Sequence, residues 1–368
     1  MNGHSSLLQQ PASASSRLKL AILGVAEGTH IGGSLARAAK NLDLDAIWFD
    51  AEEAWRAPRF LRSFFWHFAG GRRPAHLRRY SDELVALCAA AKPDVVVTTG
   101  MAPLTERALQ GLNRLGIVSI NYSTDDPWNP VMRSRWYLKA LPGYDFVFTT
   151  RRSNIDDFRR HGCKAVHWLP FGYDENLFYG GLDDRSDVAS PDILFVGGAD
   201  SDRVQFIGEF MHQGPPVTVA GGYWDRHQDF KPLALGLISP DKIRTLTAAA
   251  KVNLCLVRRA NRDGHVMRSF EIAAVGGCML AEDTAEHREI FGPDGDAVVY
   301  FRNSREAAER AKALLSDLPE RKRLARRLHD RIVGGHNTYT HRLAAMLKVA
   351  VGRGSNTTHS QRRAVVAP

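Results

Sequence analysis

Residues 252–282 read VNLCLVRRANRDGHVMRSFEIAAVGGCMLAE and contain one complete strand–helix–strand pattern. The apolar run Val252–Val257 predicts a buried strand, and the Arg-rich loop after it leads into a helix over about 266–275. Gly276-Gly277 ends that helix, and Cys278–Ala281 predicts the following strand. Strands that alternate with helices form parallel sheets, so this stretch indicates an α/β fold.

The same alternation continues outward in both directions and divides the chain into two tandem units. The predicted strands are residues 18–23, 46–49, 95–98, 117–120, 146–149 and 165–168 in the first unit, and 192–196, 217–220, 252–257, 278–281 and 298–301 in the second. They are continuous apolar runs, which are typical of parallel sheets covered on both faces. Ligands bind at the carboxyl ends of such strands, so the cleft between the units is the expected site.

We expect five segments along the chain. They are a disordered tail at 1–17, an N-terminal Rossmann-like domain at 18–175, a C-terminal Rossmann-like domain at 176–335, a C-terminal helix at 336–351 and a disordered tail at 352–368. A Gly- and Asp-rich stretch, Gly180 to Ser190, is interpreted as part of the connector, with Asp183 and Asp184 solvated.

Helix boundaries follow from capping residues. Ser81 is predicted to cap one helix, Pro103 to lie in the first turn of the next, and Ser239-Pro240-Asp241 to start another. The stretch from Pro58 to Arg79 is predicted to be irregular, aromatic and basic.

Composition limits the class of protein. Of the 368 residues, 44% are hydrophobic and 24% are charged, which is globular rather than disordered. No apolar run approaches the roughly 18 residues of a membrane-spanning helix. The four cysteines form no C-x-x-C pair and are expected to be reduced core residues. The expected location is therefore the cytoplasm, with the inner face of the membrane as an alternative.

The formal charge of +9 leaves three classes of partner open. An anionic small molecule, an anionic membrane surface and a nucleic acid all attract such a chain. No nucleic-acid-binding motif accompanies the basic clusters, so nucleic acid is not expected. The aromatic stretch Phe60 to Arg79 is interpreted either as a surface for peripheral membrane contact or as a buried helix with basic flanks.

Glu271 is the residue whose position most suggests chemistry. A lone acid in an Ala-rich, core-facing helix is costly unless it binds something. Arg268 lies three residues earlier on the same helical face. The pair is either a plain Arg–Glu contact or a ligand site. In a ligand site the carboxylate accepts two ribose hydroxyls while arginine and the helix N-terminus hold phosphate oxygens.

Arg268-Ser-Phe-Glu271, Gly276 to Glu282 and Glu286 to Phe291 together resemble the signature of the CgeB-like, or spore-maturation-protein-like, glycosyltransferases. These enzymes are similar to glycosyltransferase family 4 and have the GT-B architecture, in which two Rossmann-like domains face a cleft. The resemblance extends from about residue 192 to 347, with shorter pieces at Lys92 to Val97 and Thr124 to Pro127.

The resemblance implies an enzyme that moves a sugar from a nucleotide-diphosphate-sugar donor to an acceptor, with no cofactor. The acceptor stays open among a glycan, a lipid-linked glycan, a protein and a small molecule. We identify no Cys/His metal cluster and no D-x-D triplet of the type that holds a metal in the other large glycosyltransferase fold, so transfer is expected to be metal-independent.

The resemblance also implies donor contacts in the second domain. Related retaining enzymes use two acids eight positions apart; Glu271 matches the second, which grips the ribose, and Asp263 stands where the first is a Glu. Gly197, Gly198 and Arg203 are expected to contact the diphosphate, because glycines let backbone N–H groups approach and arginine adds charge.

Two loops of the first domain supply the remaining candidates. The loop Gly24 to Ser34 does not fit the G-x-G-x-x-G dinucleotide fingerprint, but its Gly32 and Gly33 are candidates for donor phosphate and its His30 for a catalytic contact with sugar or acceptor. Asp126, in a Pro-rich loop, is the candidate general base; the alternative is a Pro-stabilised turn with a capping Asp.

Two other functions remain open at this point. One is a nucleotide-sugar epimerase of the same architecture. The other is a degenerate, non-catalytic nucleotide-binding protein, which the Asp at position 263 favours.

Overall fold

The computed structural model describes residues 18–68, 71–180 and 190–363, with side chains described as far as Gly352. The predicted tail 1–17 lies outside the described residues, as do Asp183 and Asp184 of the predicted connector. The last helix continues to Arg363, beyond residue 351, where the helix was predicted to end.

Eleven strands form two fully parallel sheets in the described part of the chain. They are β1 Lys19–Gly24, β2 Asp45–Asp50, β3 Val95–Thr99, β4 Val118–Ser123, β5 Phe146–Thr149, β6 Val166–Trp168, β7 Ile193–Val196, β8 Val217–Ala220, β9 Val252–Cys255, β10 Met279–Glu282 and β11 Val299–Phe301. The first sheet has the order β2-β1-β3-β4-β5-β6 and the second the order β11-β10-β9-β7-β8. Every strand predicted from the sequence is present.

Helices cover the sheets. They are α1 Ile31–Asn41, α2 Arg59–His67, α3 Leu77–Ala91, α4 Glu106–Arg114, α5 Arg135–Ala140, α6 Ile155–Arg160, α7 Ser201–Gln213, α8 Pro240–Ala249, α9 Met267–Ala274, α10 Ala285–Phe291, α11 Ser304–Ser316, α12 Leu318–Val333 and α13 Tyr339–Arg363. The start of α8 is confirmed, because the Ser239 hydroxyl accepts a hydrogen bond from the Lys242 N–H at 3.2 Å.

The predicted irregular stretch from Pro58 to Arg79 is wrong over most of its described length. It contains the whole of α2 and the start of α3. Pro58 stands just before α2, where a missing N–H costs nothing, and so does not prevent the helix. Leu61 and Phe65, four residues apart, form its half-buried side.

Ser81 and Pro103 also differ from their predicted positions. Ser81 lies inside α3, where its hydroxyl donates to the Pro103 carbonyl at 3.2 Å and accepts from the Thr105 N–H at 3.1 Å. Thr105 is the true N-cap of α4, since its side chain accepts from the Ala108 N–H at 3.1 Å. Pro103 therefore precedes α4 and joins it to α3.

Each sheet is buried on both faces, which explains its continuous apolar strands. Leu20 and Ile22 of β1 face one side of the first sheet, whereas Ala21 and Leu23 face the other. The side of Leu20 and Ile22 is covered by α1 and by the residues of α13. The last helix of the chain thus packs on the first sheet.

The winding of the two sheets sets the position of the site. In the first sheet the strand order reverses between β1 and β3, and in the second between β7 and β9. Loops that leave two such strands diverge to opposite faces and open a crevice at the carboxyl edge. Both crevices face the same space between the sheets.

Candidate functional site

A cavity of about 490 Å³ occupies this space between the sheets. The first sheet lines it through the loops after β1, β2, β3 and β4, and the second through Val196, Arg258 and the loop that enters α9. A smaller cavity of about 370 Å³ adjoins it and shares Thr29, His30, Val196 and Arg268. The combined space borders both domains, as the sequence predicts for a ligand cleft.

Helix N-termini point at this space. Ile31, the first residue of α1, and Met267, the first residue of α9, line the larger cavity, and Pro240 of α8 lines the smaller one. Free N–H groups and the helix dipole make such ends favourable for anions.

Arg203 supplies a positive charge to the cavity wall. It rises from the first turn of α7, and its guanidinium donates to the carbonyl oxygens of Gly198 at 3.3 Å and Leu256 at 3.4 Å. Its side chain is 11% exposed, and burial lowers its pKa. Its Nε is buried without a hydrogen-bond partner among the described residues. The group therefore retains capacity to bind an anion.

Arg268 and Glu271 form a buried ion pair on α9. Arg268 lines both cavities, whereas Glu271 is 1% exposed and lines neither. Nη1 of Arg268 and Oε2 of Glu271 contact each other in this ion pair without the alignment of a hydrogen bond, and Nε of Arg268 has no partner in the described chain. Burial raises the pKa of Glu271, while Arg268 opposes that rise. Buried polar atoms are normally hydrogen-bonded, so this pair retains capacity to bind a ligand.

Gly197 and Gly198 form the exit of β7 and line the smaller cavity. They pack on the loop after β8, because the Gly197 N–H donates to Ala220 at 2.8 Å and the Ala199 N–H donates to Gly222 at 3.0 Å. A Cβ on Gly198 would meet nothing closer than 3.8 Å. Gly198 is therefore not required by packing.

Gly32 and Gly33 have a packing role. A Cβ on Gly32 would lie 2.8 Å from the backbone of Val25, and one on Gly33 would lie 2.4 Å from the carbonyl of Ala26. The Gly33 N–H donates to the Val25 carbonyl at 3.0 Å. The two glycines thus allow α1 to pack closely against the loop that precedes it. Gly32 also lines the larger cavity. His30 lines both cavities.

Asp263 lines the larger cavity, but its carboxylate is already engaged. One oxygen is paired with Arg151 and the other with Arg258, the latter at 3.3 Å. Arg151 follows β5 in the first domain, is fully buried, and also donates to the Thr124 carbonyl at 2.9 Å. Asp263 therefore ties the two domains together at the cavity wall.

Arg258 extends this network to Asp125. Its guanidinium pairs with Asp125 at 3.0 Å, and both residues line the cavity. Burial alone raises the pKa of Asp125, but Arg258 and Arg151 outweigh burial and hold that pKa low. Asp125 is therefore an anion that holds the guanidinium of Arg258 in place.

The structure does not bring Asp126, the candidate base, into the cavity lining. Its carboxylate is 1% exposed and accepts two hydrogen bonds from Arg262, at 2.6 and 3.0 Å. It also accepts from Asn154 at 2.9 Å and from the Trp128 N–H at 2.9 Å. The two bonds from Arg262 cross between the domains, and Asp126 does not line the cavity.

His265 and Glu286 form a further buried pair that the sequence reasoning did not single out as a site. His265 Nδ1 and Glu286 Oε2 are 2.6 Å apart, and His265 Nε2 accepts from the Phe171 N–H at 3.1 Å. Glu286 also accepts from the Arg152 N–H at 3.0 Å. The sequence signal that pointed to this pair was the stretch from Glu286 to Phe291, which is one of the stretches that carry the family resemblance. Arg151, Arg258 and Asp125 were missed because their partners are distant in sequence.

The described residues contain no group of three or more His, Cys, Asp or Glu side chains suited to a metal ion. No helix among them is long and apolar enough to cross a membrane. All four cysteines are free and buried.

Residues 203–348 match a family model described as Glycosyl transferase-like. No curated protein matches the chain. Sucrose-phosphate synthase from Thermosynechococcus elongatus superposes with a TM-score of 0.70 at 13% identity, over 92% of this chain and 100% of that one. HepE from Anabaena, in complex with UDP-glucose, superposes with a TM-score of 0.64 at 16% identity, over 90% of this chain and 100% of that one. Trehalose 6-phosphate synthase from Burkholderia multivorans superposes with a TM-score of 0.65 at 12% identity, over 94% of this chain and 98% of that one.

The chain has the GT-B fold. The predicted fold class is confirmed on this point, because the superpositions span both parallel sheets. The matched family region includes Arg203, Arg258, Asp263, Arg268 and Glu271.

Proposed function

We propose that this chain is a glycosyltransferase that takes a sugar from a nucleoside-diphosphate-sugar donor in the cavity between its sheets. The observation that carries the proposal is the convergence of Arg203, Arg268 and the first residues of α1 and α9 on one interdomain space. A diphosphate has the charge and the oxygen acceptors that this arrangement fits.

In this proposal Arg203 and Arg268 neutralise the diphosphate as it leaves the sugar. Charge that develops on a leaving group is stabilised best by cations and dipoles already in place. Oε2 of Glu271 has no hydrogen bond in the described chain. After a small movement of Arg268, it accepts hydrogen bonds from the hydroxyl groups of the donor ribose. Transfer then needs no metal, and the resemblance to CgeB-like enzymes supports the same assignment.

The donor base that we propose to test first is uracil. HepE, which superposes over 90% of this chain, was solved with UDP-glucose and with UDP. On the acceptor side we propose His30 as the contact with sugar or acceptor, since it lines both cavities. Asp126 belongs to the domain contact in this proposal, and Asp263 positions Arg258 and Arg151.

The test is a thermal-shift panel with UDP, GDP, dTDP, ADP and NAD. A ligand at about a hundred times its dissociation constant stabilises by roughly 2.7 kcal/mol, which is readily visible. We expect one nucleoside diphosphate to raise the melting temperature of the wild type and to act much less on Glu271→Gln. The Arg259→Gln variant is the matched control, because Arg259 is exposed and pairs with Glu282 outside the cavity lining.

A null result with every nucleotide, or an equal shift in Glu271→Gln, contradicts the proposal. Turnover then separates the enzyme from a non-catalytic nucleotide-binding protein. Release of UDP from UDP-glucose with a glycosylated product supports transfer, whereas binding without any turnover supports the non-catalytic alternative.

A nucleotide-sugar epimerase is the second candidate. A protein from Listeria monocytogenes described as a candidate UDP-N-acetylglucosamine 2-epimerase superposes with a TM-score of 0.55 over 93% of this chain, at 11% identity. Conversion of UDP-N-acetylglucosamine to an epimer in the absence of any acceptor, followed by NMR, supports this candidate over transfer.

A further inference from the structure

Helix α2 presents an uncovered aromatic face. Phe60, Phe64 and Phe68 recur every fourth residue and are 71%, 52% and 78% exposed. The rings of Phe64 and Phe68 stack with centroids 6.2 Å apart. No residue of α2 is fully buried, so most of this apolar area is free to contact a partner.

Basic side chains flank α2 on the side of the cleft. Arg59 and Arg62 line a cavity of about 640 Å³ together with Arg56 and Trp66. Arg56 pairs with Asp50 at 3.0 Å, whereas Arg59 and Arg62 have no carboxylate partner within the described residues. Arg59 and Arg62 therefore give α2 a basic side that faces this cavity, whose lining also includes Glu52.

A further arginine, Arg73, lies against the half-buried side of α2. The guanidinium of Arg73 lies 5.6 Å from the centroid of the Phe65 ring. Arg73 borders a second cavity of about 580 Å³ whose lining includes Arg78 and Arg135 as well as Asp82 and Glu106. Arginines thus border the aromatic helix on two sides.

This combination matches the interface of an anionic membrane. Helices that lie in the plane of a bilayer place aromatic rings at the headgroup boundary and basic residues on the lipid phosphates. A neutral protein surface would give the unpaired arginines no counter-charge, whereas each basic residue near an anionic leaflet gains attraction. Charge complementarity therefore favours an anionic lipid surface over a neutral protein surface.

We propose that α2 docks this chain onto an anionic lipid bilayer, with Phe60, Phe64 and Phe68 at the headgroup boundary and the flanking arginines on the lipid phosphates. Val25 and Trp55 line both the cavity beside α2 and the cavity between the sheets. Docking through α2 therefore holds the mouth of the cleft at the membrane surface. The bilayer is then the source of the acceptor, a step that rests on the proposed function.

The test is cosedimentation with vesicles of phosphatidylcholine alone or mixed with phosphatidylglycerol. We expect the wild type to bind the mixed vesicles at least about tenfold more tightly than the neutral ones, and to lose this preference at high salt. Phe60→Ser/Phe64→Ser/Phe68→Ser should weaken binding by about tenfold or more, because the buried apolar area is lost. Arg59→Gln/Arg62→Gln should weaken it by about fivefold for each arginine.

The matched controls remove exposed side chains elsewhere. Leu87→Ser/Leu115→Ser removes two exposed apolar residues of the same domain, and Arg305→Gln/Arg326→Gln removes two exposed charges of the second domain. Both should bind mixed vesicles nearly as the wild type does. Equal binding to both vesicle types, or wild-type binding by the triple Phe variant, overturns the proposal.

Two further measurements separate the alternatives. Sedimentation velocity reports whether a second copy covers α2: a wild-type dimer that the triple Phe variant makes monomeric, without vesicle binding, overturns the lipid assignment. The UDP thermal shift on the same samples reports the donor site. Vesicle binding without a nucleotide shift supports docking and contradicts the donor proposal, and the reverse result does the opposite.

Discussion

At the scale of single residues, the site is marked by polar atoms that the chain itself leaves unpaired. Nε of Arg203 and Nε of Arg268 are buried without a partner among the described residues, and Oε2 of Glu271 has no hydrogen bond there apart from its contact with Arg268. Leaving such atoms unpaired costs about 1–3 kcal/mol each. A ligand that pairs them recovers this cost, which makes them more informative than exposed charges.

His287 gives a prediction for pH. Burial is the main cause that lowers its pKa to about 4, although its hydrogen bond to the Glu282 carbonyl, at 2.7 Å, opposes the shift. An unfolded histidine takes up its proton near pH 6.5, so protons favour the unfolded state between about 6.5 and 4. The free energy of unfolding should fall by about 2 kcal/mol between pH 7 and pH 5 from this residue.

Urea unfolding of wild type and His287→Asn at both pH values checks this. The variant should show a shallower fall, because Asn replaces the titrating ring. Glu286, whose pKa is also shifted, is present in both chains and cancels in the comparison. An identical fall in both proteins would show that His287 does not titrate in this window.

At the scale of elements, glycines in two similar loops have different roles. Gly33 lets α1 approach within contact of its own loop, whereas Gly198 faces open space at the smaller cavity. Sequence position alone gives both the same meaning, since each follows a strand. The structure separates a glycine needed for packing from one available for a ligand.

Gly33→Ala and Gly198→Ala test that separation. Gly33→Ala should destabilise by about 1–3 kcal/mol, because overpacking forces the backbone apart. Gly198→Ala should keep its unfolding free energy within about 0.5 kcal/mol of the wild type, as surface substitutions commonly do. It should nevertheless bind nucleoside diphosphate more weakly, measured by calorimetry. Equal losses of stability in both variants would contradict the assignment.

Burial and sequence separation explain which elements and contacts can be predicted from the sequence. Strands such as β3 are recognisable because burial on both faces makes them continuous apolar runs. Helix α2 was assigned as irregular because its inward side, Leu61 and Phe65, is short and only half-buried, while most of its aromatic residues are exposed. Arg268 and Glu271 were found because their spacing is local. The pairing of Arg151 with Asp263 was not, because 112 residues separate them.

At the scale of the whole molecule, the domain contact is polar and lies at the edge of the cavity. Arg151 pairs with Asp263, which also contacts Arg258, and the neighbouring residue Arg262 pairs with Asp126. Buried ion pairs are costly to break singly but contribute little net stability. Such a contact fixes the relative position of the domains more than it stabilises them.

Arg151→Met is the corresponding prediction. Removing a fully buried cation leaves Asp263 with only Arg258, so the unfolding free energy should fall by about 3 kcal/mol. Arg151→Met/Asp263→Leu should recover much of this loss, because no uncompensated buried charge remains. Urea titration measures both. A double variant as unstable as the two single changes combined would mean that Arg151 and Asp263 are not energetically coupled, which contradicts the prediction.

The position of α13 has a consequence for synthesis of the chain. Tyr339, Leu343 and Met346 complete the apolar face of the first sheet, together with Leu20 and Ile22 from the other end of the sequence. Domains usually fold as they leave the ribosome, starting from the N-terminus. Here one face of the first sheet, although α1 covers part of it, stays incomplete until about residue 350 has emerged, so the first sheet reaches its final packing only after the whole second sheet has been synthesised.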